Sequence, residues 1–114
     1  MKLEKVKILI VDDEPNVRDG LREALDAPEF DIDTAQDGET ALRKIRRGPF
    51  HVVVTDLRMP GATDGFDILR EVRERDPDTP VIMITAHGTI DGAVEAMKMG
   101  AMEFLAKPLD IKHF

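Results

Sequence analysis

Val52-Val53-Val54-Thr55-Asp56 runs four apolar or β-branched residues straight into a carboxylate, and the breaker-rich stretch Leu57-Arg58-Met59-Pro60-Gly61 follows. A short β-branched run that stops at Pro and Gly reads as a buried strand ending in a loop. A second run, Ile8-Leu9-Ile10-Val11, ends the same way at Asp12-Asp13. Two buried strands with acidic tips suggest one site that gathers three carboxylates. In that site Asp56 reads as a nucleophile that accepts a phosphoryl group.

Outward from these two runs, the rest of the chain falls into alternating strands and helices. The first strand spans 6–11. A helix follows Asp12-Asp13-Glu14, with Pro15 suited to its first turn. Val17, Leu21, Ala24 and Leu25 recur at helical spacing, and Ala27-Pro28 closes the helix. The stretch 30–35 alternates apolar and acidic residues, which marks a strand with one solvated face at a sheet edge. Asp37-Gly38 is a turn, and Asp37 or Thr40 is the candidate cap of a second helix. That helix has the stripe Ala41, Leu42 and Ile45 and stops at Gly48-Pro49. The central strand is expected over 50–55, and a third helix over 65–75 with Phe66, Leu69 and Val72 inward. After the turn 76–80 come a strand over 81–85, a helix over 89–99 before Gly100, and a strand over 102–106. Lys107-Pro108 ends that strand, and residues 109–114 begin a further helix. This βα alternation implies an α/β fold, a doubly wound five-stranded parallel sheet with helices on both faces. Strands one, three and four are apolar throughout and are expected at its centre.

The totals narrow the function. The chain has 114 residues, the size of one ordinary domain, and 42% of them are hydrophobic, enough for a core. A net charge of −7 and a pI near 4.9 argue against this segment gripping nucleic acid or an anionic membrane. The absence of cysteine excludes a disulfide framework and a thiolate metal site. No apolar run approaches the ~20 residues of a membrane span, and the N-terminus lacks a signal-peptide core. The expected location is the cytoplasm.

In an open parallel sheet, ligands sit beyond the carboxyl ends of the strands. Those ends carry Asp12 and Asp13, Asp56, Thr85, and Lys107. Three close carboxylates repel and raise one another's pKa, and a divalent cation relieves this. Oxygen ligands without Cys or His suit Mg²⁺. A carboxylate is a poor nucleophile, so the burden falls on positioning and charge neutralisation. Mg²⁺ and Lys107 would hold the phosphoryl oxygens while Asp56 attacks in line.

The chain resembles a receiver domain of a two-component response regulator. The matching pieces are Asp12-Asp13, Asp56 followed by Met59-Pro60 and Asp64-Gly65, Thr85-Ala86, and Lys107-Pro108. They occur in the family's order over nearly the whole chain, and their conjunction is specific where each alone is weak. The region from His87-Gly88-Thr89-Ile90 to Phe104-Leu105 looks most like receivers of NtrC-type transcriptional activators. The resemblance implies a flavodoxin-like strand order, 2-1-3-4-5. It implies that Asp56 is the phosphorylated aspartate, that Asp13 binds Mg²⁺ directly, and that Asp12 acts largely through water. The backbone carbonyl of Arg58 would complete the protein ligands. Thr85 would be the switch hydroxyl, Phe104 the aromatic switch, and Lys107 the lysine that neutralises phosphoryl charge, followed by a cis bond to Pro108. The implied partners are a sensor histidine kinase and an output domain in the same longer chain, an ATPase with a DNA-binding domain. Six residues follow Pro108 where the family places a full fifth helix. The expectation is therefore an N-terminal piece of a longer regulator with that helix truncated, and a homodimer as one way of covering the sheet.

Each of these residues also has a plainer reading. Asp12-Asp13-Glu14 could be acids favouring a helix N-terminus, Asp56 a turn former, Thr85 an ordinary strand residue and Lys107 a solvated charge. Met59, Met83, Met97, Met99 and Met102 read as packing, and Arg43-Lys44-Ile45-Arg46-Arg47 as the exposed face of the second helix. The rival function is a small Mg²⁺-dependent phosphatase or phosphotransferase using an aspartyl-phosphate. Such enzymes commonly place a second acid two residues after the nucleophile, and that position here is Arg58. The loop from Met59 to Gly65 is one residue longer than usual between Met-Pro and Asp-Gly.

Overall fold

The computed structural model describes residues 5–86 and 90–107. The elements in chain order are β1 (Val6–Val11), α1 (Pro15–Ala24), β2 (Phe30–Ala35), α2 (Gly38–Arg47), β3 (Val52–Asp56), α3 (Gly65–Arg75), β4 (Val81–Thr85), α4 (Ile90–Lys98) and β5 (Glu103–Ala106). The five strands form one parallel sheet in the order β2-β1-β3-β4-β5. The expected α/β class, the central positions of β1, β3 and β4, and the edge position of β2 are all found.

Local chemistry explains where the helices start. Pro15 opens α1, where its missing N–H costs nothing. Asp37 caps α2, its Oδ1 accepting from Thr40 N at 2.7 Å. Asp64 and Asp67 form a reciprocal capping box at the head of α3, with bonds of 3.1 and 3.0 Å. At the tail of α4, Gly100 has φ +101°. Its N–H donates to Met97 O, and Ala101 N–H donates to Ala96 O, the bond pair of a glycine-terminated helix.

Alternate residues of each strand face opposite layers. Leu9, Val11, Val53, Val81 and Met83 pack with α2, α3 and Ala96 of α4. Ile8, Ile10, Val54 and Ile84 pack on the other side with Leu21 of α1. Both clusters close the sheet's interior and leave its carboxyl edge polar.

Several boundaries differ from expectation. β3 begins at Val52 because the Phe50 carbonyl is engaged by Thr79 Oγ1 at 2.9 Å, outside the ladder. β5 begins at Glu103, one residue later than expected, although Met102 N–H already donates to Val81 O at 2.8 Å. α1 stops at Ala24, which is itself exposed, and Leu25 N–H closes on Leu21 O. In α3 the deepest contacts are Ile68 and Leu69, while Phe66 is only partly buried. Met83, Met59 and Met99 do pack, but Met97 and Met102 are exposed. The expected Lys107–Pro108 cis bond and the helix begun at 109–114 lie outside the described residues.

Candidate functional site

Parallel register brings the polar strand ends to one edge. Asp12 and Asp13 directly follow β1, Asp56 is the last residue of β3, Thr85 the last of β4, and Lys107 directly follows β5. Thr55 pairs with Val11, Asp56 with Ile84, and Thr85 with Ala106, so the four ends are level. Asp12, Asp56 and Thr85 are buried polar groups, while Asp13 is exposed.

Lys107 is the centre of the charge arrangement. Its Nζ lies 3.1 Å from Asp56 Oδ2 and 2.9 Å from Asp12 Oδ2. The first contact is a hydrogen bond; the second is an ion pair without hydrogen-bond alignment, and Asp12 Oδ2 is a buried oxygen with no hydrogen-bond partner. A third carboxylate, Glu14 Oε2, stands 3.6 Å from the same ammonium. Lys107 is fixed from behind by its own N–H, which donates to Thr85 O at 2.9 Å.

These contacts set the proton affinities. Burial pushes the Asp56 carboxyl above the ordinary aspartate range, and the Asp12 charge adds to it. Lys107 and the Arg58 N–H pull in the opposite direction without reversing the shift. The repulsion expected among the carboxylates is present, but burial is the larger cause. Burial alone would lower the Lys107 ammonium, but Asp12 and Asp56 overrule it and hold its pKa above the usual lysine value.

Asp12, Asp13 and Asp56 bring carboxylate oxygens within 4.8 Å of one another. The donor set is all oxygen, and Asp12 Oδ2 is buried without a hydrogen bond, so the residues fit a hard divalent cation. Arg58 sits beside them: its N–H reaches Asp56 Oδ1 at a long 3.4 Å, and its side chain is exposed. Phe104 pairs in register with Met83 and is partly buried against the larger cluster. Two further participants escaped the sequence reading. Glu14, whose sequence position suits a helix-start acid, reaches Lys107. Arg18, just over a turn into α1, donates from Nη1 to the Asp12 carbonyl at 2.6 Å. A basic residue placed shortly after an acidic strand tip was the signal for it. His51 accepts at Nδ1 from Lys7 N at 2.9 Å, at the opposite end of the sheet.

The family description "Response regulator receiver domain" matches residues 8–114. The chain belongs to this family. The receiver is 40% identical over 109 residues to response regulator protein PilR of Pseudomonas aeruginosa, covering 96% of this chain and 24% of that protein. It is 44% identical over 107 residues to the C4-dicarboxylate transport transcriptional regulatory protein DctD of the same organism, covering 91% and 22%. The receiver thus spans about a quarter of the length of the curated relatives it matches. Among solved structures it is similar to the beryllofluoride-activated NtrC4 receiver domain dimer, with a TM-score of 0.85, 39% identity, and 94% and 88% of the two chains covered. The likeness to NtrC-type receivers expected from the α4 region is therefore found, as is the strand order 2-1-3-4-5. Among the described residues no helix of this receiver is long and apolar enough to cross a membrane.

Proposed function

We propose that Asp56 accepts a phosphoryl group from a sensor histidine kinase and that this receiver relays the change to an output domain. The observation that carries the reading is the Asp56–Lys107 hydrogen bond set inside the Asp12, Asp13 and Asp56 cluster. A carboxylate oxygen of Asp56 attacks phosphorus, the P–N bond to the donor imidazole breaks, and the imidazole leaves with its electron pair and takes up a proton. Lys107 neutralises charge on the transferred oxygens as a compact cation. Mg²⁺, held by Asp12, Asp13, Asp56 and the Arg58 carbonyl, would supply further charge neutralisation when bound. Thr85, at the end of β4, closes on the phosphoryl group, and Phe104 on β5 repacks with it. The position two residues beyond Asp56 is Arg58, not the second acid of an aspartyl-phosphate phosphatase, which favours a switch over a turnover enzyme. Transcriptional regulation is the proposed output, with the receiver acting in the cytoplasm, and the dimeric NtrC4 receiver supports a homodimer as the activated form.

Fluorine NMR of the receiver with Mg²⁺ and beryllofluoride tests the site. A one-to-one adduct that disappears in Asp56→Asn is expected. An adduct of equal occupancy in Asp56→Asn would overturn the assignment.

A further inference from the structure

The loop between β3 and α3, residues 57–64, carries the extra residue and also carries Arg58. It is held at its far end by Gly65, whose N–H donates to Leu57 O at 2.9 Å. A side chain at Gly65 would be driven into the Asp56 carbonyl oxygen and the Leu57 Cα. Laterally the loop leans on α2. A Cβ at Gly38, the first residue of α2, would stand 2.5 Å from Thr63 O, 2.6 Å from Thr63 Cγ2 and 2.8 Å from Thr63 Cβ. Nothing in the backbone angles asks for glycine there, because Gly38 is not among the positive-φ residues. The requirement is close approach: the main chain of one loop rests where a side chain would be.

The β2–α2 turn and the β3–α3 loop face each other across a metal-site carboxylate. Asp13, Gln36, Asp37 and Glu39 line one recess together with Pro60 and Gly61. Thr63 on Gly38 is the seam that sets how far apart those two walls stand. Within the loop, Arg58 is five residues from the seam and two from Asp56, and its N–H contact to Asp56 Oδ1 is already long.

We infer that Gly38 is a positioning residue for the phosphoryl site: by admitting Thr63 it takes up the extra loop residue and holds Arg58 beside the carboxylates. The inference rests on the metal-dependent reading above and deepens it. The blocked direction is a carbonyl oxygen, which no rotamer change can move away. A methyl group at Gly38 must therefore displace the loop or the head of α2. Supports behind a metal ligand commonly change affinity by about 10–100-fold when lost.

The test is Mg²⁺ affinity by titration calorimetry, with beryllofluoride adduct formation beside it, on the folded receiver well below its melting temperature. Gly38→Ala should weaken Mg²⁺ about tenfold, while the adduct still forms at Asp56 when Mg²⁺ is raised to saturation. Gly48→Ala, at the other end of the same helix, meets no atom within 4 Å and should bind as wild type. Deleting Ala62 in the Gly38→Ala background removes the surplus length and should recover most of the affinity. Wild-type affinity in a folded Gly38→Ala receiver would overturn the inference, as would loss of affinity that the Ala62 deletion does not relieve. Failure of the wild-type receiver to bind Mg²⁺ or beryllofluoride would instead sink the underlying functional reading.

Discussion

Lys107 Nζ lies 3.1 Å from Asp56 Oδ2, with both side chains almost wholly enclosed. The pair ties the end of β5 to the end of β3 across β4, and Asp12 shares the same ammonium. A cation is thus already present where phosphoryl charge would arrive, shared between the carboxylates of Asp56 and Asp12.

Removing that cation should be costly. Lys107→Met leaves Asp12 and Asp56 buried without their counter-charge, and breaking one side of a buried pair costs about 3 kcal/mol or more. The lysine's pKa is raised by folding, so its contribution is fully present at neutral pH and fades only as pH rises above the ordinary lysine value. Urea unfolding at pH 7 should show the loss, and added Mg²⁺ should return part of it. Unchanged stability would mean that the pair is incidental.

Asp56→Asn should do the opposite. Burial and Asp12 raise the Asp56 pKa in the folded chain, so the fold binds its proton more tightly than the unfolded chain does. Stability therefore falls as pH climbs from the ordinary aspartate value through the raised one. The amide carries no such penalty. Thermal melts without metal should show the variant more stable at pH 7, with the advantage vanishing towards pH values below the ordinary aspartate pKa of 3.8. A variant less stable than wild type at pH 7 would contradict this ordering of terms.

Asp37 behaves as a conventional cap. Hydrogen bonds from Thr40 hold its carboxyl below the usual range, with Arg43 assisting. Its contribution is present above the ordinary pKa and is lost as pH falls through the lowered one. Asp37→Ala should cost about 1 kcal/mol. Asp37→Asn should keep most of the cap and lose the acid dependence, as chemical denaturation across pH would reveal.

Much of this was legible in the residues. The apolar runs at β1, β3 and β4 could only be central strands, and Asp12, Asp56, Thr85 and Lys107 stand at carboxyl ends wherever the strands are drawn. The stripe read through Phe66, Leu69 and Val72 missed Ile68, which stands two residues from Phe66 on the other side of the Leu69 and Val72 centre and is fully buried. Nor could periodicity expose Met97 and Met102, whose apolar character says nothing about whether a partner element covers them. Glu14 and Arg18 were hidden for a different reason. Glu14 meets Lys107 only because the sheet brings the end of β5 beside the head of α1, and Arg18 reaches the Asp12 carbonyl through the angle at which β1 passes into α1.

α4 should be the least protected of the described helices. Among its described side chains only Ala96 is buried, whereas α3 buries Ile68, Leu69 and Val72, and Gly92 weakens α4 by roughly 1 kcal/mol relative to alanine. Val94 and Met97, each about half exposed, give it an apolar outer face. Hydrogen exchange should find faster opening across Ile90–Lys98 than across Gly65–Arg75, and a change there on adding beryllofluoride. Equal protection with and without beryllofluoride would remove α4 as the element that moves.

The central claim is that Asp56 is the phosphoryl acceptor. The most direct measurement is incubation of the receiver with Mg²⁺ and the small donor acetyl phosphate, reduction with borohydride, and peptide mass mapping. An acyl phosphate is reduced to an alcohol, so homoserine should replace aspartate at position 56 and nowhere else. Homoserine at position 12 or 13, or an unmodified Asp56 after incubation with donor and Mg²⁺, would contradict the account.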